Sequence, residues 1–416
     1  MDLPLFLGLS HIGQVFSLAW SNNISKCSVF DFDQKNLNNF KEKKFTTEEP
    51  NLKKISHKKI EILENEKEIL KKKIIFFTYD TAINEKNGFP NLSIIENYIK
   101  KLLSFKFKYP TTIIITSQVY PGFMESIKKK YKIQKKIKLI YMVDTLKMGT
   151  AIKNFLNPEQ LIFGGENINK VQIKKLFKKF KCKKYFYSFG DAELIKISIN
   201  LYLFFSVTYA NILDQLGKNR KYKFSRIIQN LRNDRRIGKY AYINPSLGIS
   251  GGHLERDVYY LNKIIDNPIS SKIMSNMLKF NDFRKKNIIK EINLRFKKKK
   301  INILILGISY KSTSYSLVNS QFKFLFNNKN FKVSIYDNNF KFPIKDKFKR
   351  VNNLKDLGSF DILILNYTDK NSMKYIKKYF SKKRNNYLFN ITSNKNVKFS
   401  GDNILNFFEK ANAFNE

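Results

Sequence analysis

Near the start of the chain, Gly8, Ser10 and Gly13 stand in the spacing of a G-x-G-x-x-G turn whose middle glycine is serine. Between a strand and a helix, such a turn lets backbone N–H groups approach a pyrophosphate at the helix N-terminus. Gly8 would permit the tight turn, and Gly13 close packing of helix on strand. Asp31 follows Gly13 by 18 residues, at the end of the next apolar run. That is the spacing of a carboxylate that holds the ribose of NAD and repels the extra phosphate of NADP. Ser10 adds a side chain where backbone should meet phosphate, and a tight turn without a ligand is the plainer alternative. Further on, Lys196 and Asn200 lie one helical turn apart in an otherwise apolar run. A lysine buried there is costly without a partner or a task, unless it snorkels to solvent. Asp257 follows a glycine-rich stretch and precedes Val258-Tyr259-Tyr260-Leu261, where it could equally cap a helix.

Other chemistry is narrowed by counting. Two cysteines, Cys27 and Cys182, leave no disulfide scaffold and no cysteine-rich zinc site. Three histidines, His11, His57 and His253, argue against a histidine-based metal centre, and no metal is expected. The 78 Lys+Arg outweigh the 34 Asp+Glu, for a net charge of +44. This invites a nucleic-acid reading. However, 68 of the basic residues are lysine and ten are arginine, the planar fork suited to phosphate and bases. The lysines spread along the whole chain. Lys, Asn, Ile and Phe are enriched together, as an A+T-rich genome would produce. No apolar run reaches the roughly 18 residues of a membrane span, and no basic leader is evident, so a reducing cytoplasmic setting is expected.

The elements that must position these residues follow from the hydrophobic pattern. The 416 residues are enough for two to three domains. A strand at Leu3–Leu7 enters the glycine turn, and further strands are expected at Cys27–Phe32, Ile74–Thr78, Thr112–Thr116, Leu139–Val143 and Leu161–Gly164. Residues 41–73 read as loop and polar helix. Strands alternating with helices indicate a parallel α/β sheet. Asp191–Gly217 reads as a long, nearly all-apolar, buried central helix. Helical segments continue to about Arg295, and the basic run Phe296–Lys300 reads as a linker. Ile301–Leu306, Val333–Tyr336 and Ile362–Leu365 then open a second α/β domain. The expected fold is two Rossmann-like doubly wound domains joined by the long helix and a helical middle domain, with boundaries at 1–190, 191–296 and 297–416.

Six segments in order resemble the UDP-glucose/GDP-mannose dehydrogenase family. Besides the Gly8 turn, Ser117-Gln118-Val119-Tyr120-Pro121-Gly122 is similar to S-T-V-P-P-G. Gly149-Thr150-Ala151-Ile152 with Asn157-Pro158 and Gly164-Gly165 is similar to the segment after the family's N-P-E-F-L-x-E. Ala192-Glu193-Leu194-Ile195-Lys196 with Asn200 resembles A-E-x-x-K-x-x-x-N. Gly248 to Asp257 resembles G-F-G-G-x-C-x-x-K-D, and Gly307-Ile308-Ser309-Tyr310-Lys311 resembles G-x-x-F-K.

The resemblance implies NAD-dependent oxidation of the C6 alcohol of a nucleotide sugar to a uronate, and a homodimer built on the long helix. It implies that Lys196 and Asn200 stabilise an oxyanion and order a water, and that Asp257 orients the water or the lysine. Cofactor contacts would come from Gly8, Ser10, Ile12, Gly13, Asp31, Thr81 and Gln118, and substrate contacts from Leu146, Tyr242, Gly252 and Lys311.

The departures concern the chemistry itself. Gapless alignment puts His253 where the family has its catalytic cysteine; counting from Gly251-Gly252 puts Leu254 there. Imidazole cannot form the thiol's stable adduct with an aldehyde, but it can serve as a general base on water. Asp144 replaces the first glutamate of N-P-E-F-L-x-E and Met148 the second. Gln118 replaces a threonine, and Val318 stands at an expected arginine. The alternatives are an enzyme that stops at the aldehyde and a degenerate paralogue that only binds a nucleotide sugar.

Overall fold

The computed structural model describes residues 3–45, 49, 52–83, 90–144, 146, 149–251, 253–297, 300–309, 312, 317, 319–338, 348–382, 385–392, 397 and 399–408. The chain divides into two compact units, Met1–Ile199 and Asn200–Glu416.

The first unit contains β1 (Leu5–Leu7), α1 (His11–Asn23), β2 (Cys27–Phe30), α2 (Gln34–Lys41), β3 (Ile60–Ile62), β4 (Ile74–Phe77), β5 (Ala82–Ile83), β6 (Pro90–Asn91), α3 (Ser93–Leu103), β7 (Thr111–Ile115), α4 (Phe123–Lys130), β8 (Ile137–Met142), α5 (Ala151–Leu156), β9 (Gln160–Gly164), α6 (Lys170–Leu176) and β10 (Lys183–Tyr187). Among the described residues its main sheet has the order β10-β9-β8-β7-β4-β1-β2-β3. The strand order reverses between β1 and β4, the switch point at which doubly wound sheets bind ligands. The central strands are apolar throughout because helices cover both faces: Leu5, Phe6, Leu7, Ile75, Phe76 and Phe77 are all buried.

Two sequence expectations need correction here. The sheet is not wholly parallel, because β9 runs antiparallel to β8. The connection between these two strands contains the six-residue α5. Residues 41–73 contain a strand, β3, paired with Cys27–Val29 of β2. It was hidden by its length and charged setting. Both sheet edges, β3 and β10, carry Lys or Glu, which discourages pairing with other chains.

Helix α7 (Phe189–Arg220) starts in the first unit and continues into the second. Within one chain α7 is buried along one side, the rest of its expected burial belonging to a dimer. Phe204, Val207, Ala210, Asn211 and Asp214 are buried, but Tyr202, Phe205, Tyr209, Ile212 and Leu216 form an exposed apolar stripe.

The second unit adds α8 (Phe224–Asn233), α9 (His253–Ile264), α10 (Pro268–Arg295), β11 (Ile301–Leu306), α11 (Lys323–Phe326), β12 (Phe331–Tyr336), β13 (Lys349–Arg350), β14 (Ile362–Leu365), α12 (Lys370–Phe380), β15 (Tyr387–Asn390) and β16 (Ile404–Asn406). Its six parallel strands are ordered β13-β12-β11-β14-β15-β16, with the reversal between β11 and β14. Ile303, Ile305, Ile362 and Ile364 pack on one side of this sheet, and Leu304, Leu306, Leu363 and Leu365 on the other.

Candidate active site

The Gly8 turn is built as its spacing predicts. Gly8 has φ +103°, and a Cβ there would lie 2.7 Å from the Tyr79 ring. A Cβ on Gly13 would lie 1.8 Å from the Gly8 carbonyl oxygen, so no side chain fits. Ile12 is buried in the core and offers only backbone to a ligand. Ser10 precedes α1 but does not cap it with its side chain. Its hydroxyl instead donates to the Thr78 carbonyl at 2.8 Å and accepts from the Asp80 N–H at 2.9 Å. The backbone cradle fits a dinucleotide: a glycine turn at the switch point, leading into a helix with no acidic residue of its own in the first turn.

Asp31 sits just beyond β2 and is 1% exposed. Its Oδ2 accepts from the Leu9 N–H at 2.6 Å and the Asn36 amide at 3.3 Å. Its Oδ1 accepts from the Asp33 N–H at 2.8 Å and the Tyr79 hydroxyl at 3.1 Å. Burial raises its pKa against the opposing pull of these bonds. Thr81 is half-buried and donates to the Gln118 carbonyl, while Ser117 donates to the Tyr79 carbonyl at 2.6 Å.

Lys196 does not snorkel. It is 8% exposed, and its Nζ donates to the backbone carbonyl of Asp144. Asp144 turns its own carboxylate to the Leu146 N–H at 2.9 Å, and both residues are half-buried. One turn before Lys196, the Glu193 carboxylate accepts from the N–H groups of Gly122 and Met124 at 2.7 and 2.8 Å. It thereby fixes α7 to the start of α4. Burial pushes its pKa up to about 7.

In the second unit, the Asn200 amide donates to Asp257 Oδ2 at 2.6 Å. The Arg256 guanidinium bonds Asp257 Oδ1 at 2.9 Å, and all but 3% of Asp257 is buried. Asp257 is not the N-cap that its sequence position also allowed: α9 already begins at His253. His253 itself is exposed, as is Tyr242. Gly252 and Lys311, and the altered positions Met148 and Val318, lie outside the described residues. Neither cysteine lies in the segment that leads into α9. Cys27 is fully buried in β2, where burial pushes its thiol up to about 12, and burial also raises Cys182.

Several site-supporting residues were missed by sequence reasoning. Asn281 of α10 bonds both the N–H and the carbonyl of Ile249, at 2.7 and 3.1 Å. Lys285, one turn on, reaches Glu255 at 3.0 Å. Arg284 bonds Asp214 of α7 at 2.8 Å and the Ser246 carbonyl at 3.0 Å. The loop before α9 is therefore held by polar residues on buried helix faces. Polar residues at 281, 284 and 285 on a helix that is otherwise core were the available signal. Glu49 was also missed: it accepts from Gly149 and Ala151 N–H groups and meets His11 Nε2 at 3.2 Å.

The second unit repeats the first unit's turn. Gly307 follows β11 with φ +83°, and a Cβ there would lie 2.7 Å from the Tyr367 ring. The Ile308 N–H donates to Asp337 Oδ2 at 3.0 Å, and the Tyr367 hydroxyl to the same oxygen at 2.6 Å. Glycine, aspartate and tyrosine thus stand in the relation of Gly8, Asp31 and Tyr79.

Comparison with known proteins agrees with this construction. The NAD binding domain of the UDP-glucose/GDP-mannose dehydrogenase family matches residues 5–181, and that family's central domain matches residues 190–283. The UDP-glucose 6-dehydrogenase of Campylobacter jejuni is 27% identical over 395 residues, covering 90% of this chain and 96% of that protein. The fold is shared with a UDP-glucose dehydrogenase from Pyrobaculum islandicum, at TM-score 0.79, 16% identity and 94% coverage of both chains. It is shared as well with a UDP-N-acetyl-mannosamine dehydrogenase from Staphylococcus aureus, at TM-score 0.74, 17% identity and 97% coverage of both. With the glycine turn, the switch-point strand order and both domain matches in agreement, the chain belongs to the UDP-glucose/GDP-mannose dehydrogenase family, whose members are NAD-dependent nucleotide-sugar dehydrogenases.

Proposed function

We propose that this chain oxidises the C6 alcohol of a UDP-glucose-like nucleotide sugar, and that the covalent cysteine step of the second oxidation is absent. The observation that carries the reading is Lys196, buried on α7 with its Nζ held at a backbone carbonyl. A buried ammonium group held at a backbone carbonyl suits a donor to a developing oxyanion. Asn200, paired with Asp257, orders the water that takes part in proton transfer. Gly8, Ser10, Gly13 and the α1 N-terminus would hold the pyrophosphate of NAD, with Asp31 on its ribose and Thr81 and Gln118 beside it. Bound NAD supplies the hydride acceptor. His253, exposed at the start of α9, acts as a general base on the hydrated aldehyde in place of the thiol.

The test is incubation with NAD and a panel of nucleotide sugars, scoring NADH formed per sugar consumed. We expect fewer than two NADH per sugar, with aldehyde trapped by hydroxylamine. His253→Ala should impair the second oxidation more than the first, and His253→Cys should move the yield toward two. Two NADH per sugar with no trapped aldehyde, unchanged in His253→Ala, would remove the histidine from the mechanism. No NADH from any sugar would favour a binding-only paralogue.

The exposed stripe on α7 supports a homodimer, in which a second copy covers Tyr202, Phe205, Tyr209, Ile212 and Leu216. We assign cofactor binding to residues 1–190, pairing of copies to 191–296 and nucleotide-sugar binding to 297–416. A reducing cytoplasm suits the two free cysteines, and among the described residues no helix is long and apolar enough to cross a membrane.

A further inference from the structure

The two hydrogen-bonding positions that a dinucleotide needs at the Gly8 turn are filled by consecutive side chains of the chain itself. A carboxylate offers about four acceptor sites, and Asp31 has four donors on it. Two are backbone N–H groups fixed by the fold, and the Asn36 bond is long. The fourth is the Tyr79 hydroxyl, whose ring lies against the Cα of Gly8, the surface that a glycine fingerprint leaves open. The same hydroxyl accepts from the Phe32 N–H at 3.0 Å.

The positive end of α1 is likewise answered from within. The His11 N–H, in the first turn, donates to Asp80 Oδ2 at 2.8 Å. A carboxylate at a helix N-terminus occupies the favourable place of a phosphate. Asp80 reaches solvent, although the chain packed around its carboxylate disfavours the charge and raises its pKa. Tyr79 and Asp80 follow β4 after Thr78, on the far side of the switch point from Gly8. The second unit repeats only half of this arrangement: Tyr367 bonds Asp337, but Thr368 follows it, not an acid.

We propose that Tyr79 and Asp80 are an internal competitor for the cofactor, the hydroxyl standing for a ribose hydroxyl on Asp31 and the carboxylate for a phosphate on α1. Binding of NAD then requires both to be displaced. The inference rests on the NAD reading above. The experiment is calorimetric titration of the full chain with NAD, in wild type, Asp80→Asn and Tyr79→Phe, beside thermal melts without NAD. Asp80→Asn removes a competing charge and should tighten NAD binding about tenfold. Tyr79→Phe frees one acceptor site of Asp31 and should tighten binding several-fold while lowering the melting temperature of the free protein. A purely structural tyrosine would lose stability and affinity together. Affinity unchanged or weakened in both variants overturns the competitor and leaves the NAD reading standing. Folded protein with no NAD binding in wild type or either variant overturns both.

Discussion

Glu193 shows how a single buried carboxylate couples the site to pH. Its folded pKa is about 7 against an ordinary value of 4.5, because burial disfavours the charged form. Raised in the folded state, the group favours folding fully below about 4.5, and that contribution declines as pH rises toward about 7. The decline is at most on the order of 3 kcal/mol. Glu193→Gln should flatten the fall in stability between about pH 5 and pH 7, measured by urea denaturation across that range. A slope unchanged from wild type would show that Glu193 does not titrate there. His11 behaves differently. Burial opposes its charge, but Glu49, Asp80 and Asp144 outweigh burial and raise its pKa.

At the scale of elements, α10 acts as a clamp. Its buried positions 281, 284 and 285 face the loop that leads to His253 and Asp257. Lys285 has no exposed surface, and burial lowers its pKa while Glu255 pulls it back up. Removing one partner of such a pair leaves a buried charge uncompensated, at about 3–5 kcal/mol. Lys285→Met should therefore destabilise the protein by about that much in chemical denaturation. Glu255→Gln combined with Lys285→Met should recover much of the loss. A double variant as unstable as the sum of its singles would mean that the pair does not interact. The clamp also accounts for Gly248, where a Cβ would lie 2.8 Å from the Lys285 side chain.

For the whole molecule, the decisive surface is the α7 stripe. Tyr202, Phe205, Tyr209, Ile212 and Leu216 recur at three- and four-residue steps, and Tyr202 is 62% exposed. A contiguous apolar face of this kind marks an interaction surface. Sedimentation of the wild type at micromolar concentration should show a dimer. Tyr209→Lys with Ile212→Lys should shift it to monomer with little loss of monomer stability, because neither side chain is buried. A wild-type monomer would reject the pairing. The charge of +44 sets a background repulsion between copies, so association should strengthen with salt.

Local chemistry was readable from the residues alone. Glycines at 8 and 13 are dictated by backbone geometry, so their spacing predicted the turn. Strands Ile301–Leu306 and Ile362–Leu365 were predicted to the residue, because a strand covered on both faces must be apolar throughout. Short or charged edge strands gave no such signal: β3 and β10 take their shape from a neighbouring strand, not from their own pattern. The antiparallel orientation of β9 left no mark in its own apolar pattern. The exposure of α7 depended on what packs against it, which periodicity cannot say when apolar residues surround a helix. Which groups meet was decided only in three dimensions. Tyr79 reaches Asp31 across 48 positions, and Asn281 reaches Ile249 across 32. Spacing along the chain constrains neighbours within a turn or a strand, whereas long-range hydrogen bonds are set by the packing of whole elements.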